Sequence, residues 1–272
     1  MNIKFVFIYI LVISAIVLQS CSRKDEVAPA GGGEMSTLSV QFDNIVGAKK
    51  LQLNTGTYVN ASGETFKISL LQYYISNIQL KDAAGKTFVV PQDSSYFLIK
   101  EGNGPSQFAK VRVPTGDYYT LSFVLGVDSL RNTMDISKRT GVLDPATGMD
   151  NGMYWSWNSG YIFFKMEGTA DAVPADPSGQ HKFRYHIGGF GGYSAPTINN
   201  VKTITIDLRN GGIPKVRVGR EANVHLMVDV LKVFDGSTRV SLAKNSSVMF
   251  SDFSTLVANN YINMFFHDHT EN

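Results

Sequence analysis

The stretch Phe66-Lys67-Ile68-Ser69-Leu70-Leu71-Gln72-Tyr73-Tyr74-Ile75-Ser76-Asn77-Ile78-Gln79-Leu80 sets large apolar side chains against polar or small ones at a period near two. That period belongs to strand rather than helix, and the run is long enough for one long strand or two short ones. Working outward, Leu38-Ser39-Val40-Gln41-Phe42 alternates cleanly upstream, and residues 88–90, 96–99, 108–113 and 118–127 do so downstream. Ala84-Gly85, Gly102-Asn103-Gly104-Pro105 and Thr115-Gly116-Asp117 separate these runs as turns. The pattern returns at 161–167, 183–188, 201–208, 216–218 and 223–230. Strands at this spacing build a sandwich or a barrel. With 25 Gly, 17 Phe, 12 Tyr and 2 Trp, the composition also favours an all-β, turn-rich chain over a helical bundle.

Two segments break the alternation. Between Asp128 and Ser159 Gly, Asn, Asp and Met crowd together, a loop of about 30 residues, which in a compact domain is often functional. It runs into Tyr154-Trp155-Ser156-Trp157-Asn158-Ser159-Gly160-Tyr161, which holds both tryptophans. Near the C-terminus Phe253, Leu256/Val257, Tyr261 and Met264/Phe265 fall at helical spacing, with Asp252 as N-cap and Phe266-His267-Asp268-His269 at the end. No internal repeat or composition break divides the rest. The expectation is a single β-sandwich domain over residues 38–272, with a long Trp-bearing loop and a short C-terminal helix.

The first residues bear on location. Lys4 precedes an apolar run of about 14 residues, Phe5 to Leu18, too short to span a bilayer comfortably and laid out like a secretory signal. Leu18-Gln19-Ser20-Cys21 resembles a bacterial lipobox, in which the peptide is cut before the Cys and its thiol is diacylated. Residues 1–20 then read as a lipoprotein signal peptide, and 21–37 as an acylated Cys21 followed by a flexible tether with a glycine triplet. The alternative is an uncleaved anchor. Lys24-Asp25-Glu26 is similar to the export signal of Bacteroidetes lipoproteins, or is a charged triplet of the linker. The expected location is the cell envelope, as an outer-membrane lipoprotein that faces the periplasm or the surface and meets the membrane through its lipid.

Composition removes several classes. Of 272 residues 43% are apolar and 18% charged, so most of the chain is ordered. Lys+Arg number 25 against 23 Asp+Glu, without long runs, and nucleic acid is not an expected partner. Cys21 is the only cysteine, which excludes disulfides, zinc–thiolate sites and cysteine catalysis from the folded part. A glycine loop before Lys-Ser/Thr, a Gly-x-Ser-x-Gly elbow and His-Glu-x-x-His are all missing, so enzymatic function ranks last.

The histidines are the remaining signal. All five follow residue 180: His181, His186, His225, His267 and His269. Imidazole is the commonest protein metal ligand at neutral pH and suits copper, zinc, iron and nickel. In an extended tail His267 and His269 share a side and could chelate one ion. In the strand Asn223–Asp229, His225, Met227 and Asp229 occupy one face, a mixed N/S/O set; the competing reading is an ordinary solvated sheet face. His186 stands with Arg184 opposite Phe183, Tyr185 and Ile187, and His181 falls in a loop. Trp155 and Trp157 either offer a stacking platform or plug one end of the sandwich.

Phe42-Asp43-Asn44, the segment 73–78, Gly126-Val127-Asp128-Ser129, Leu143-Asp144-Pro145, Met153-Tyr154-Trp155-Ser156-Trp157-Asn158-Ser159-Gly160-Tyr161 and Phe183-Arg184-Tyr185-His186-Ile187-Gly188-Gly189 resemble the MbnP-like family, in family order. The end of the strand at Asp229 and the His-x-His terminus are similar to its Bacteroidetes branch. The resemblance implies a secreted β-sandwich that holds copper through histidines, with one tryptophan oxidised to kynurenine by a partner haem peroxidase. By position that tryptophan is Trp155 and one ligand is His186. Copper-binding members carry a His near that tryptophan, whereas Tyr154 and Trp157 occupy the neighbourhood here and no His precedes residue 181. His225, His267 and His269 are left to substitute. The expected function is a non-catalytic, envelope-anchored protein that binds copper or another divalent metal for acquisition or storage, through His186, His225, Asp229, His267 and His269. The alternative is a surface module that holds a glycan or protein through Trp155 and Trp157.

Overall fold

The computed structural model describes residues 33–146, 152–155 and 158–272. Cys21, the expected signal peptide over residues 1–20 and Trp157 lie outside them. Ten strands carry the fold: β1 (Met35–Val46), β2 (Thr65–Asp82), β3 (Tyr96–Lys100), β4 (Phe108–Pro114), β5 (Gly116–Leu125), β6 (Ile162–Ala170), β7 (Lys182–Gly188), β8 (Lys202–Asp207), β9 (Ala222–Asp229) and β10 (Phe265–Glu271). Two helices, α1 (Ser129–Thr133) and α2 (Asp252–Tyr261), join them. The fold is an all-β sandwich, as the alternation predicts.

One sheet runs β10-β9-β1, with β4 beyond β1; β9 is parallel to β1 and antiparallel to β10. The other runs β8-β5-β2-β6-β7, with β3 also on β2. The deciding stretch forms a single strand, β2, bent where Asn77 takes a φ of 53° and the ladder with β5 slips. Its first half pairs with β6 and its second with β5. β1 starts at Met35, opposite Pro114, so the last residues assigned to the tether belong to the first sheet.

The two inner faces meet in an aromatic core. Phe42 and Phe265 of one sheet stack edge to face with each other and with Phe123 of the other at 5.2–6.3 Å between centroids, and Tyr73 joins them from the sheet of Phe123. Such pairs add roughly 0.5–1.5 kcal/mol each beyond the area they bury. A second cluster lies on the far side of β2, β3 and β6: Tyr74, Leu98, Phe163 and Tyr161 are covered by Val127, Leu143, Met153 and Phe190. Part of that sheet is therefore buried on both faces, which explains the unbroken apolar run Tyr161-Ile162-Phe163-Phe164.

The segment expected as loop contains a short helix. The Asp128 carboxylate accepts the Arg131 N–H at 3.0 Å and starts α1. The C-terminal helix is shorter than its periodicity suggests. It runs from Asp252, with Ser251 as N-cap, only to Tyr261; Phe265 begins a strand and not another helical turn.

Candidate metal centre

Strand β9 alternates as expected: Val224, Leu226 and Val228 are fully buried, while His225 and Met227 face outward. On the neighbouring β10, regular alternation would put Phe265, His267 and His269 together. The pairing is not regular. Val228, Met227 and Leu226 oppose Phe265, Phe266 and His267, but His225 opposes His269. Asp268 is an extra residue, a β-bulge that moves everything beyond it to the other face. His269 thus shares the outer face with His225, and the Asp268 carboxylate joins them.

Gly211 makes room for this bulge. A Cβ there would stand 2.5 Å from the Asp268 carbonyl oxygen and 2.8 Å from the His267 ring. Thr270 donates its N–H to the Gly211 carbonyl at 2.9 Å, which ties the segment to β10 just past the bulge.

Three donor atoms converge. His225 Nδ1 lies 3.3 Å from His269 Nδ1 and 3.2 Å from Asp268 Oδ2, and His269 Nδ1 lies 2.8 Å from the same oxygen. Ligands around an ion with bonds of about 2.0–2.2 Å are separated by roughly 2.9 Å at right angles and 3.4 Å at tetrahedral angles. The triangle has those dimensions. The His225 side chain is mostly buried, whereas those of His269 and Asp268 are half exposed, so an ion has a path from solvent.

The electrostatics favour a cation. Hydrogen bonding to His269 holds the Asp268 carboxyl below its usual range, and Asp268 in turn raises the His269 pKa above 6.5. Asp43 Oδ2 lies 3.6 Å from His225 Nε2 and Glu271 Oε1 3.7 Å from His269 Nε2. Among the described residues none of these three carboxylates has a Lys or Arg within ion-pair distance.

The other expected ligands are elsewhere. His267, which precedes the bulge and stays opposite Leu226, bonds through Nε2 to Thr270 Oγ1 at 2.9 Å, and burial depresses its pKa. Asp229, four residues along β9 from His225 (about 13 Å of strand), is used by the fold: its Oδ1 accepts N–H from Gly47 at 2.7 Å and from Leu231 at 3.1 Å. His186 lies on the other sheet, with Nε2 2.7 Å from Glu167 Oε1. Of five expected ligands only His225 and His269 come together. The signal for Asp268 was its place between two histidines, hidden because plain alternation sends it to the opposite face.

Trp155 is a plug. Its ring meets Phe250 edge-on at 6.2 Å and packs so closely on Gly188 that a Cβ there would lie 2.6 Å from it. No helix among the described residues is long and apolar enough to cross a membrane.

No curated protein sequence matches the chain. The solved structure of MbnP from Methylosinus trichosporium is similar over 80% of this chain and 82% of that one, at 15% identity and a TM-score of 0.51, a likeness of fold. The MbnP family profile matches residues 35–250, a span that takes in the sandwich and His225 but stops before β10. By that match over most of its length, the chain belongs to the MbnP family.

Proposed function

We propose that this protein binds a single divalent metal ion, copper(II) first, through His225, His269 and Asp268, and that it serves metal acquisition or storage rather than catalysis. The observation that carries the proposal is the triangle of two imidazole nitrogens and one carboxylate oxygen with edges of 2.8–3.3 Å. Two imidazoles and a carboxylate suit Cu(II), Ni(II) or Zn(II), and at such a set copper(II) stands at the top of the affinity order. Cu(I) prefers thiolate or thioether sulfur, and the only cysteine is Cys21. In the same proposal Cys21 is the lipid-bearing residue of an envelope lipoprotein, with residues 1–20 removed.

Calorimetric titration of the purified protein with Cu(II), Zn(II) and Cu(I) tests this. One equivalent of Cu(II) is expected, bound more tightly than Zn(II), with binding abolished in the His225→Ala/His269→Ala double variant. Equal affinity in wild type and double variant ends the proposal. The alternative, a module for a glycan or protein, has less support at Trp155, whose half-buried ring packs on Gly188 and Phe250.

A further inference from the structure

The outer face of the first sheet carries a second feature, next to the metal centre. One residue from each of four strands stands in a single row. Lys110 on β4 pairs with Ser39 on β1, Ser39 with Asn223 on β9, and Asn223 with Glu271 on β10. The ends of the row are long charged side chains that reach into solvent, and the middle two are short and polar, so the row forms a trough. Asn is disfavoured inside strands, where a β-branched residue packs better. Phe108, at the start of β4, and Pro105 just before it wall the trough on one side. The cleft measures about 500 Å³, within the roughly 300–1,000 Å³ of small-molecule sites.

Its floor holds unused hydrogen-bonding capacity. Ser39 is 1% exposed, and its Oγ has no partner among the described residues. The Asn223 amide is oriented by its Nδ2, which donates to Gln41 Oε1 at 3.1 Å and to Glu271 Oε2 at 3.2 Å. Its Oδ1 is left buried with no donor among the described residues. Buried polar atoms without partners are rare because they are costly, and two of them stand side by side here. Their chemistry selects the ligand. An anion offers no donor to Asn223 Oδ1 and meets Glu221 and Glu271, while Lys110 is already paired with Glu221 at 2.7 Å. An ammonium offers no acceptor to the Ser39 hydroxyl. A neutral hydroxyl supplies both. We propose that this trough binds a neutral saccharide unit, whose hydroxyls meet Ser39 Oγ and Asn223 Oδ1 while the C–H face of its ring lies on Phe108, against the negative face of the aromatic π-system. The site is distinct from the Trp155/Trp157 segment and does not depend on the metal reading.

NMR titration of the labelled protein with glucose, galactose, N-acetylglucosamine and their β-linked disaccharides tests the proposal. At least one sugar is expected to shift the Asn223 side-chain amide and the backbone signals of Ser39 and Phe108 saturably, without moving the Trp155 indole. Ser39→Ala should weaken that binding about tenfold, the weight of one hydrogen bond of about 1.4 kcal/mol. The same variant should keep or raise the urea denaturation midpoint, because a buried hydroxyl without a partner is gone; a serine with a structural role would lower it. Phe108→Leu, which keeps the bulk and loses the ring face, should weaken sugar binding as well. The His225→Ala/His269→Ala variant should bind sugar like the wild type, so the trough and the metal centre are read separately. A panel in which no sugar gives a saturable shift at these residues overturns the proposal, and so does binding that Ser39→Ala leaves unchanged.

Discussion

Two histidines on opposite sheets show how similar ingredients reach different ends. His186 and His225 each stand on the outer face of a strand beside a carboxylate. At His186 the charges are already settled: Glu167 contacts the ring at 2.7 Å, and Lys165 Nζ lies 3.7 Å from the same carboxylate oxygen. His186 and Lys165 are both nearly buried, and burial holds the His186 pKa below 6.5 against the pull of Glu167. A lysine supplies the cation, and the cluster is closed. At His225 a second imidazole stands where the lysine would be, three carboxylates surround the pair, and no Lys or Arg among the described residues compensates them. The difference teaches that the candidate centre stands out less by its histidines than by the positive charge missing from it.

Substitutions can break this comparison. The largest effect is expected from the histidines themselves: His225→Ala or His269→Ala should lower Cu(II) affinity by more than about 100-fold, since outer partners alone carry 10–100-fold. His186→Ala should leave calorimetric affinity within about twofold. Next comes the bulge. Asp268→Ala removes the third ligand and should lower Cu(II) affinity beyond the roughly 10–100-fold that outer partners carry. Deleting Asp268 should cost the same while preserving the denaturation midpoint, because the remaining ladder becomes a regular strand with His269 still opposite His225. A deletion that unfolds β10 would show that the bulge is required by the strand itself.

Gly211→Ala is expected to act through the same bulge. Its methyl group would meet the Asp268 carbonyl and the His267 ring, an overpacking that typically costs about 1–3 kcal/mol. Urea denaturation should show that loss, and Cu(II) affinity should fall with it. The smallest effect belongs to the closed cluster. Lys165 helps depress the His186 pKa, so Lys165→Met should raise it toward 6.5 in an NMR titration. A histidine with a lowered folded pKa contributes stability that is complete above 6.5 and is lost as pH falls through that window to the folded pKa. His186→Gln should therefore flatten the decline in stability just below pH 6.5.

Much of the fold was legible because a sandwich strand with one buried face must alternate. Residues 38–42, 108–113 and 223–230 say so directly, and β1, β4 and β9 follow. Burial on both faces weakens that signal at Tyr73-Tyr74 and at Tyr161–Phe164, where a covering segment remote in sequence supplies the second apolar environment. The C-terminal period misled by coincidence. Met264 and Phe265 continue the helical spacing, yet they are buried as the approach to β10, with α2 ended at Tyr261.

The site was half legible. His225 and His269 stood out as a strand histidine and a terminal one. Asp268 and the exclusion of His267 follow from a single inserted residue whose accommodation depends on Gly211, more than fifty positions away. Asp43 and Glu271 enter through strand register, which local periodicity does not specify. Asp229 looked like a ligand by residue type, and caps a turn instead.

The central claim is that the bulge in β10 joins His225, His269 and Asp268 into one copper(II) site. Electron paramagnetic resonance of the protein loaded with one equivalent of Cu(II), with and without nitrogen-15 histidine, tests it most directly. The expected spectrum shows coupling to two imidazole nitrogens, unchanged by His186→Ala and reduced to one by His225→Ala. A spectrum that loses nitrogen coupling with His186→Ala, or keeps both nitrogens without His225, would contradict it.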